Sequence, residues 1–159
     1  MEYTISTLVE NHPGVLARLA QLFSGRGFNI TSLTVAETDD PTMSRMTIVV
    51  DGDEKVMEQV KKQLNKSIDV IKIYDLTKKN PIERELIIIK VNTTPTRRSE
   101  IIEIVDIFRA NIIDVSHTDI TIEATGDTTK ISALVKMLKP YGIKEIARTG
   151  KVAVARSLD

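Results

Sequence analysis

The chain repeats itself, and this restricts how it can fold more than any single motif does. Thr4–Val9 alternates like a strand and is broken by Asn11-His12-Pro13-Gly14. Val15, Leu16, Leu19, Ala20, Leu22 and Phe23 then recur at helical spacing, with Pro13 suited to a first turn and Gly25 and Gly27 as stops. Phe28–Glu37 and Met46–Val50 read as strands joined by the turn-rich loop Thr38-Asp39-Asp40-Pro41. Asp53 is placed to cap a helix carrying Val56, Met57, Val60 and Leu64, and Ile68–Tyr74 closes the unit as a fourth strand. After polar Lys78-Lys79-Asn80-Pro81 the order starts again. It runs through strand Leu86–Val91, a helix stripe of Ile101, Ile104, Val105 and Phe108, strands Ile112–Val115 and Ile120–Ala124, helix Ile131–Leu138 and strand Ile143–Ala147.

The repeat has a register. A shift of 82 residues lays Val91 on Val9, Pro95 on Pro13, Asn111 on Asn29 and Ile112 on Ile30. Later the shift is 74, which lays Gly126-Asp127 on Gly52-Asp53. The 8 residues lost fall in the hairpin between the second and third strands, where a loop absorbs a deletion. The expected fold is α+β, with two tandem βαββαβ domains at 1–77 and 84–159 and a linker at 78–83. With aromatics at only 4%, the core must be aliphatic, as suits sheets covered by helices.

Composition removes several functions. Lys and Arg number 22, as do Asp and Glu, so no global field attracts nucleic acid. RNA-recognition domains of the same element order stack bases on paired aromatics of the central strands, where this chain has Ile, Thr and Val. Without cysteine there is no thiol chemistry and no Cys-ligated metal, and His12 and His117, one per half, make no metal set. No nucleophile triad or glycine-rich phosphate loop occurs. The N-terminus has no signal-peptide pattern, and no apolar run approaches the roughly 18 residues of a membrane span. A cytoplasmic, non-catalytic protein is expected, with no membrane partner.

Asn11-His12-Pro13-Gly14-Val15, between a strand and a helix, is the first candidate site. A helix N-terminus offers unpaired N–H groups to a carboxylate, Gly14 permits close approach, and Asn11 can donate and accept. The competing reading is a plain turn whose Asn caps the helix. Asn29 opens a strand, where Asn is unfavoured; it either binds ligand or belongs to the turn after Gly27.

Several segments together resemble one family. They are Asn11-x-Pro13-Gly14-Val15-Leu16-x-Arg18, Leu22-Phe23-Ser24-x-Arg26-Gly27-Phe28-Asn29-Ile30-x-Ser32-Leu33-Thr34-Val35, Asp40–Thr47, Asp53–Val56, Arg84-Glu85 and Phe108–Val115. They are similar to the small regulatory subunits of acetolactate synthase, with an N-terminal ACT domain and a C-terminal ACT-like domain. The resemblance implies ferredoxin-like units pairing edge to edge in a homodimer. It further implies a partner, the catalytic large subunit, which the chain activates and makes subject to feedback by valine or another branched-chain amino acid. Thiamine diphosphate, Mg²⁺ and FAD would sit in that catalytic chain. This sequence lacks the GDG motif and following NN pair of a thiamine site, having only Asp51-Gly52-Asp53. By the same resemblance the effector lies between Asn11, Gly14, Val15 and Leu16 of one chain and Asn29 and Ile30 of the other. A stand-alone ACT-repeat sensor acting on a transcriptional or other enzyme partner is the alternative. In the repeat register Thr93 and Thr96 replace Asn11 and Gly14, so the second domain is expected to bind no such amino acid.

Overall fold

A computed structural model describes residues 1–157. The first unit runs β1 (Glu2–Glu10), α1 (Val15–Ser24), β2 (Asn29–Glu37), β3 (Met43–Asp51), α2 (Glu54–Lys66) and β4 (Val70–Asp75). Its sheet has the order β2-β3-β1-β4, with every pairing antiparallel. The second unit runs β5 (Ile82–Asn92), α3 (Arg98–Ile107), β6 (Asn111–Val115), β7 (Asp119–Gly126), α4 (Thr128–Leu138) and β8 (Ile143–Arg148), in the order β6-β7-β5-β8. Each is a ferredoxin-like βαββαβ unit, as expected.

Periodicity explains both cores. In β1, Tyr3, Ile5 and Val9 point to one face, and Met46, Ile48 and Val50 of β3 continue it. Val15, Leu19 and Phe23 of α1 and Met57, Val60 and Leu64 of α2 cover that face at spacings of three and four. Ile87, Ile89, Val91, Ile120 and Ile122 play the same part in the second unit under Ile101, Ile104, Ile131 and Leu134. Asp53 accepts the Val56 N–H at 2.9 Å, and Asp127, 74 residues on, accepts that of Lys130 at 2.9 Å. The ladders break at equivalent places: Leu8/Val9 and Lys90/Val91, then Ile30/Ser32 and Ile112/Asp114. The repeat thus extends to its β-bulges.

Some boundaries differ from expectation. α1 starts after Gly14, so Pro13 stands outside the helix, and β4 starts at Val70 because Ser67–Asp69 form the preceding turn. A 3₁₀ turn at Lys139–Tyr141 and a short strand β9 (Val152–Val154) are additional. The expected domains were 1–77 and 84–159, with a linker at 78–83. In the described chain the compact units divide between Ile82 and Glu83, β5 starts at Ile82, and the segment from Lys151 onward groups with the first unit. Residues 158 and 159 of the expected second domain lie outside the described residues.

Candidate functional site

The β1–α1 loop is held from several sides. The Asn11 backbone N–H donates to Thr42 O at 2.8 Å, against the β2–β3 hairpin. Its side-chain Nδ2 donates to Glu37 Oε1 and to Pro41 O, both at 2.9 Å. Both partners can only accept, which orients the amide and leaves Oδ1 as the atom it can offer a ligand. Asn11 therefore does not cap the helix. The N-cap is Gly14 (φ 87°), and no side chain caps the first turn of α1. Val15 N–H reaches only His12 O, at 3.4 Å. The loop thus sets a carbonyl acceptor near uncapped helix amides, a pairing that suits an ammonium and a carboxylate on one small molecule.

Asn11, Gly14, Val15 and Leu16 border one cleft of about 480 Å³, walled by Val9, Ala20, Val35 and Met46. That volume falls within the roughly 300–1,000 Å³ of small-molecule sites, and its walls are largely aliphatic. Ile30 borders a smaller cleft of about 170 Å³ with Phe23, Phe28 and Leu33, and the two clefts share Leu16, Ala20 and Met46. Asn29 borders neither. It is exposed at the start of β2, opposite Asp51 in the ladder. One chain therefore brings four of the six expected residues together and keeps Asn29 and Ile30 apart from them. β2 is an edge strand, and its Leu33 and Val35, paired with core residues Ile48 and Met46, remain 41% and 40% exposed.

Sequence reasoning named Arg18 only within a motif and missed Asp69 entirely. Asp69 is buried at 2% exposure in the turn before β4. Its carboxylate accepts Arg18 Nε at 2.7 Å and Nη2 at 3.1 Å, and His12 Nε2 lies 3.3 Å from Oδ1. His12 Nε2 also lies 3.1 Å from Glu10 Oε2, while the Asp69 carbonyl accepts the Glu10 N–H at 2.9 Å. The Arg18 hydrogen bonds hold the Asp69 carboxyl below the usual carboxylate range, against the effect of desolvation, and Arg18 and His12 charge act in the same direction as the bonds. Glu10, His12 and Asp69 form a set whose ligand atoms lie within 4.8 Å of one another, with Arg18 already supplying positive charge to Asp69. An Asp at the head of an apolar strand run is the one sequence signal that could have drawn attention to it.

The second unit keeps the scaffold and changes the site. Thr93, at the Asn11 position, is buried, and its hydroxyl donates to Thr94 O at 3.2 Å. Thr96 stands at the Gly14 position. Glu100, at the Arg18 position, accepts Tyr141 Oη–H at 2.9 Å, and Arg97 lies over the Tyr141 ring at 4.7 Å.

Known proteins agree with this architecture in both halves. A family profile for the AHAS small subunit-like ACT domain matches residues 5–72, and one for the small subunit of acetolactate synthase matches residues 84–157. The "probable acetolactate synthase small subunit" of Archaeoglobus fulgidus is 57% identical over 156 residues, covering 98% of each chain. The acetolactate synthase small subunit of Mycolicibacterium smegmatis is 54% identical over 154 residues, 97% of this chain and 91% of that one. A crystal structure of the acetolactate synthase small subunit from Thermotoga maritima superposes with a TM-score of 0.89 at 43% identity, covering 100% of this chain and 99% of that one. No helix among the described residues is long and apolar enough to cross a membrane. Two ferredoxin-like units, profile matches in each and identity above half across almost the whole chain place it plainly: the chain belongs to the acetolactate synthase small-subunit family.

Proposed function

We propose that this chain works as a homodimer that raises the activity of the acetolactate synthase catalytic subunit and confers feedback inhibition by valine or another branched-chain amino acid. It contributes no catalytic group; thiamine diphosphate, Mg²⁺ and FAD belong to the catalytic chain. The observation that carries the effector reading is the Asn11 amide, whose two N–H groups are committed to Glu37 and Pro41 beside the uncapped start of α1. Asn11 Oδ1 accepts from the α-ammonium, first-turn amides receive the α-carboxylate, and the aliphatic side chain lies against Val35, Ala20 and Met46. The homodimer reading draws support from edge strand β2, with exposed Leu33 and Val35 beside half-exposed Leu16. Such pairing brings Asn29 and Ile30 of one chain toward the Asn11 loop of the other. Calorimetric titration of the full chain with valine, leucine and isoleucine tests the reading. Saturable heat that disappears in Asn11→Ala supports it, and no heat with any of the three refutes it.

A further inference from the structure

From the Asp69 contacts we infer that this buried carboxylate is the positioning residue of the effector loop, acting through Arg18 and His12. The inference rests on the effector reading above for what the loop binds, but not for how the loop is held. Three segments meet at this one residue. The end of β1 bonds to its carbonyl through the Glu10 N–H, the loop reaches its carboxylate through His12, and α1 reaches it through the Arg18 fork. Between these attachments lie Asn11, Pro13 and Gly14.

Gly14 is part of the same arrangement. A Cβ on Gly14 would come within 3.0 Å of Arg18 Nη1, so the guanidinium that pairs with Asp69 also packs against the backbone at the N-cap. The glycine serves the approach of Arg18 as well as its own positive φ. A bidentate Arg–carboxylate pair fixes direction as well as distance, which a Lys could not do. The pair therefore sets where the first turn of α1 stands relative to Asn11.

The repeat supplies an internal control. In the second unit Asn92 N–H donates to Gly142 O, as Glu10 N–H does to Asp69 O, so Gly142 is the structural counterpart of Asp69. The counterparts of Glu10, His12 and Arg18 are Asn92, Thr94 and Glu100. The backbone bond is kept, but the Arg18–Asp69 pair is replaced by a bond from Tyr141, beside Gly142, to Glu100, in the same unit that lacks the Asn11 amide and the Gly14 backbone. The core and both bulges do not need the charged set, since the second unit has them without it.

The test uses the full chain, with the isosteric Asp69→Asn, Arg18→Gln and their double variant. Amide hydrogen exchange is read at residues 11–17 and at the centres of β1 and β3, and valine affinity is measured by calorimetry. We expect exchange in the loop to rise by about tenfold or more in Asp69→Asn with the strand centres unchanged, and valine Kd to rise by about tenfold or more. The double variant should be no worse than the poorer single, because each single already breaks the Arg18–Asp69 pair. Unchanged loop exchange in Asp69→Asn overturns the inference. So does a uniform rise across loop and strands with valine Kd unaltered, which marks a purely structural residue. If the loop loosens while the wild-type chain gives no heat with valine, leucine or isoleucine, Asp69 still positions the loop and the effector reading alone falls.

Discussion

Replacing Gly14 by Asp should remove effector sensing at a cost to stability that the fold can bear. The backbone at Gly14 is left-handed (φ 87°), which costs an L-residue about 1–2 kcal/mol. The new Cβ meets Arg18 Nη1 at 3.0 Å, so the guanidinium that Asp69 holds must give by a few tenths of an ångström, a cost that Ala and Asp share. For a unit of this size each 1 kcal/mol lowers Tm by about 4–8 °C. The effect on ligand is larger. In the proposed site a carboxylate at the N-cap would face the ligand's own carboxylate; at about 4 Å and an effective dielectric of about 20, that repulsion is about 4 kcal/mol. Allowing for solvent screening, valine affinity should fall by about two orders of magnitude. Gly14→Ala carries the backbone cost and the contact with Arg18 without the charge; it should lose stability to a similar degree and bind valine better than Gly14→Asp. Calorimetry and thermal melts of the three proteins give both numbers. Wild-type affinity in a folded Gly14→Asp, or equal losses in Ala and Asp, would refute the electrostatic reasoning.

Three further outcomes are expected. If Asn29 completes the pocket of a partner chain, Asn11→Ala and Asn29→Ala homodimers should each bind weakly, while mixed dimers regain one intact site of two; absence of any regain in calorimetry counts against a shared pocket. Titration of the full chain should saturate at one valine per chain, because Thr93 and Thr96 replace Asn11 and Gly14 in the second unit; two equivalent sites per chain would contradict this. Asp69 has a lowered pKa from its Arg18 hydrogen bonds, so its stabilisation is complete above the usual carboxylate range and is lost as pH falls through the lowered value. Denaturant melts should therefore show the stability gap between wild type and Arg18→Gln shrinking below about pH 4, and a gap independent of pH would show that the pair is not its origin.

The order of elements and both cores were legible because they follow local rules. Ile, Val and Leu alternate in strands or recur every three to four residues in helices, and a second copy at a fixed shift checks each assignment. Asp53 and Asp127 were readable for the same reason, since a cap acts on an N–H three residues away. The start of β4 was not. Ile68 extends an apolar run but lies in the turn and is 91% exposed, because the turn takes its shape from the Ser67–Val70 hydrogen bond and from Asp69. Asn11, Gly14, Val15 and Leu16 could be selected together because they are contiguous. What Asn11 does there could not be read, since Glu37 and Pro41 lie 26 and 30 residues away. Asp69 was missed on the same ground: Arg18 is 51 positions from it, and no local pattern links them.

If the chain senses a branched-chain amino acid on behalf of a catalytic partner, the rate of acetolactate formation by the purified catalytic subunit must respond to both, and it can be measured alone, with this chain, and with this chain plus valine, leucine or isoleucine. The chain should raise the rate, at least one of the three amino acids should reverse the increase, and Gly14→Asp should activate without being reversed. A catalytic subunit whose rate is indifferent to the chain, or an activation that none of the three amino acids reduces, would contradict the proposed function.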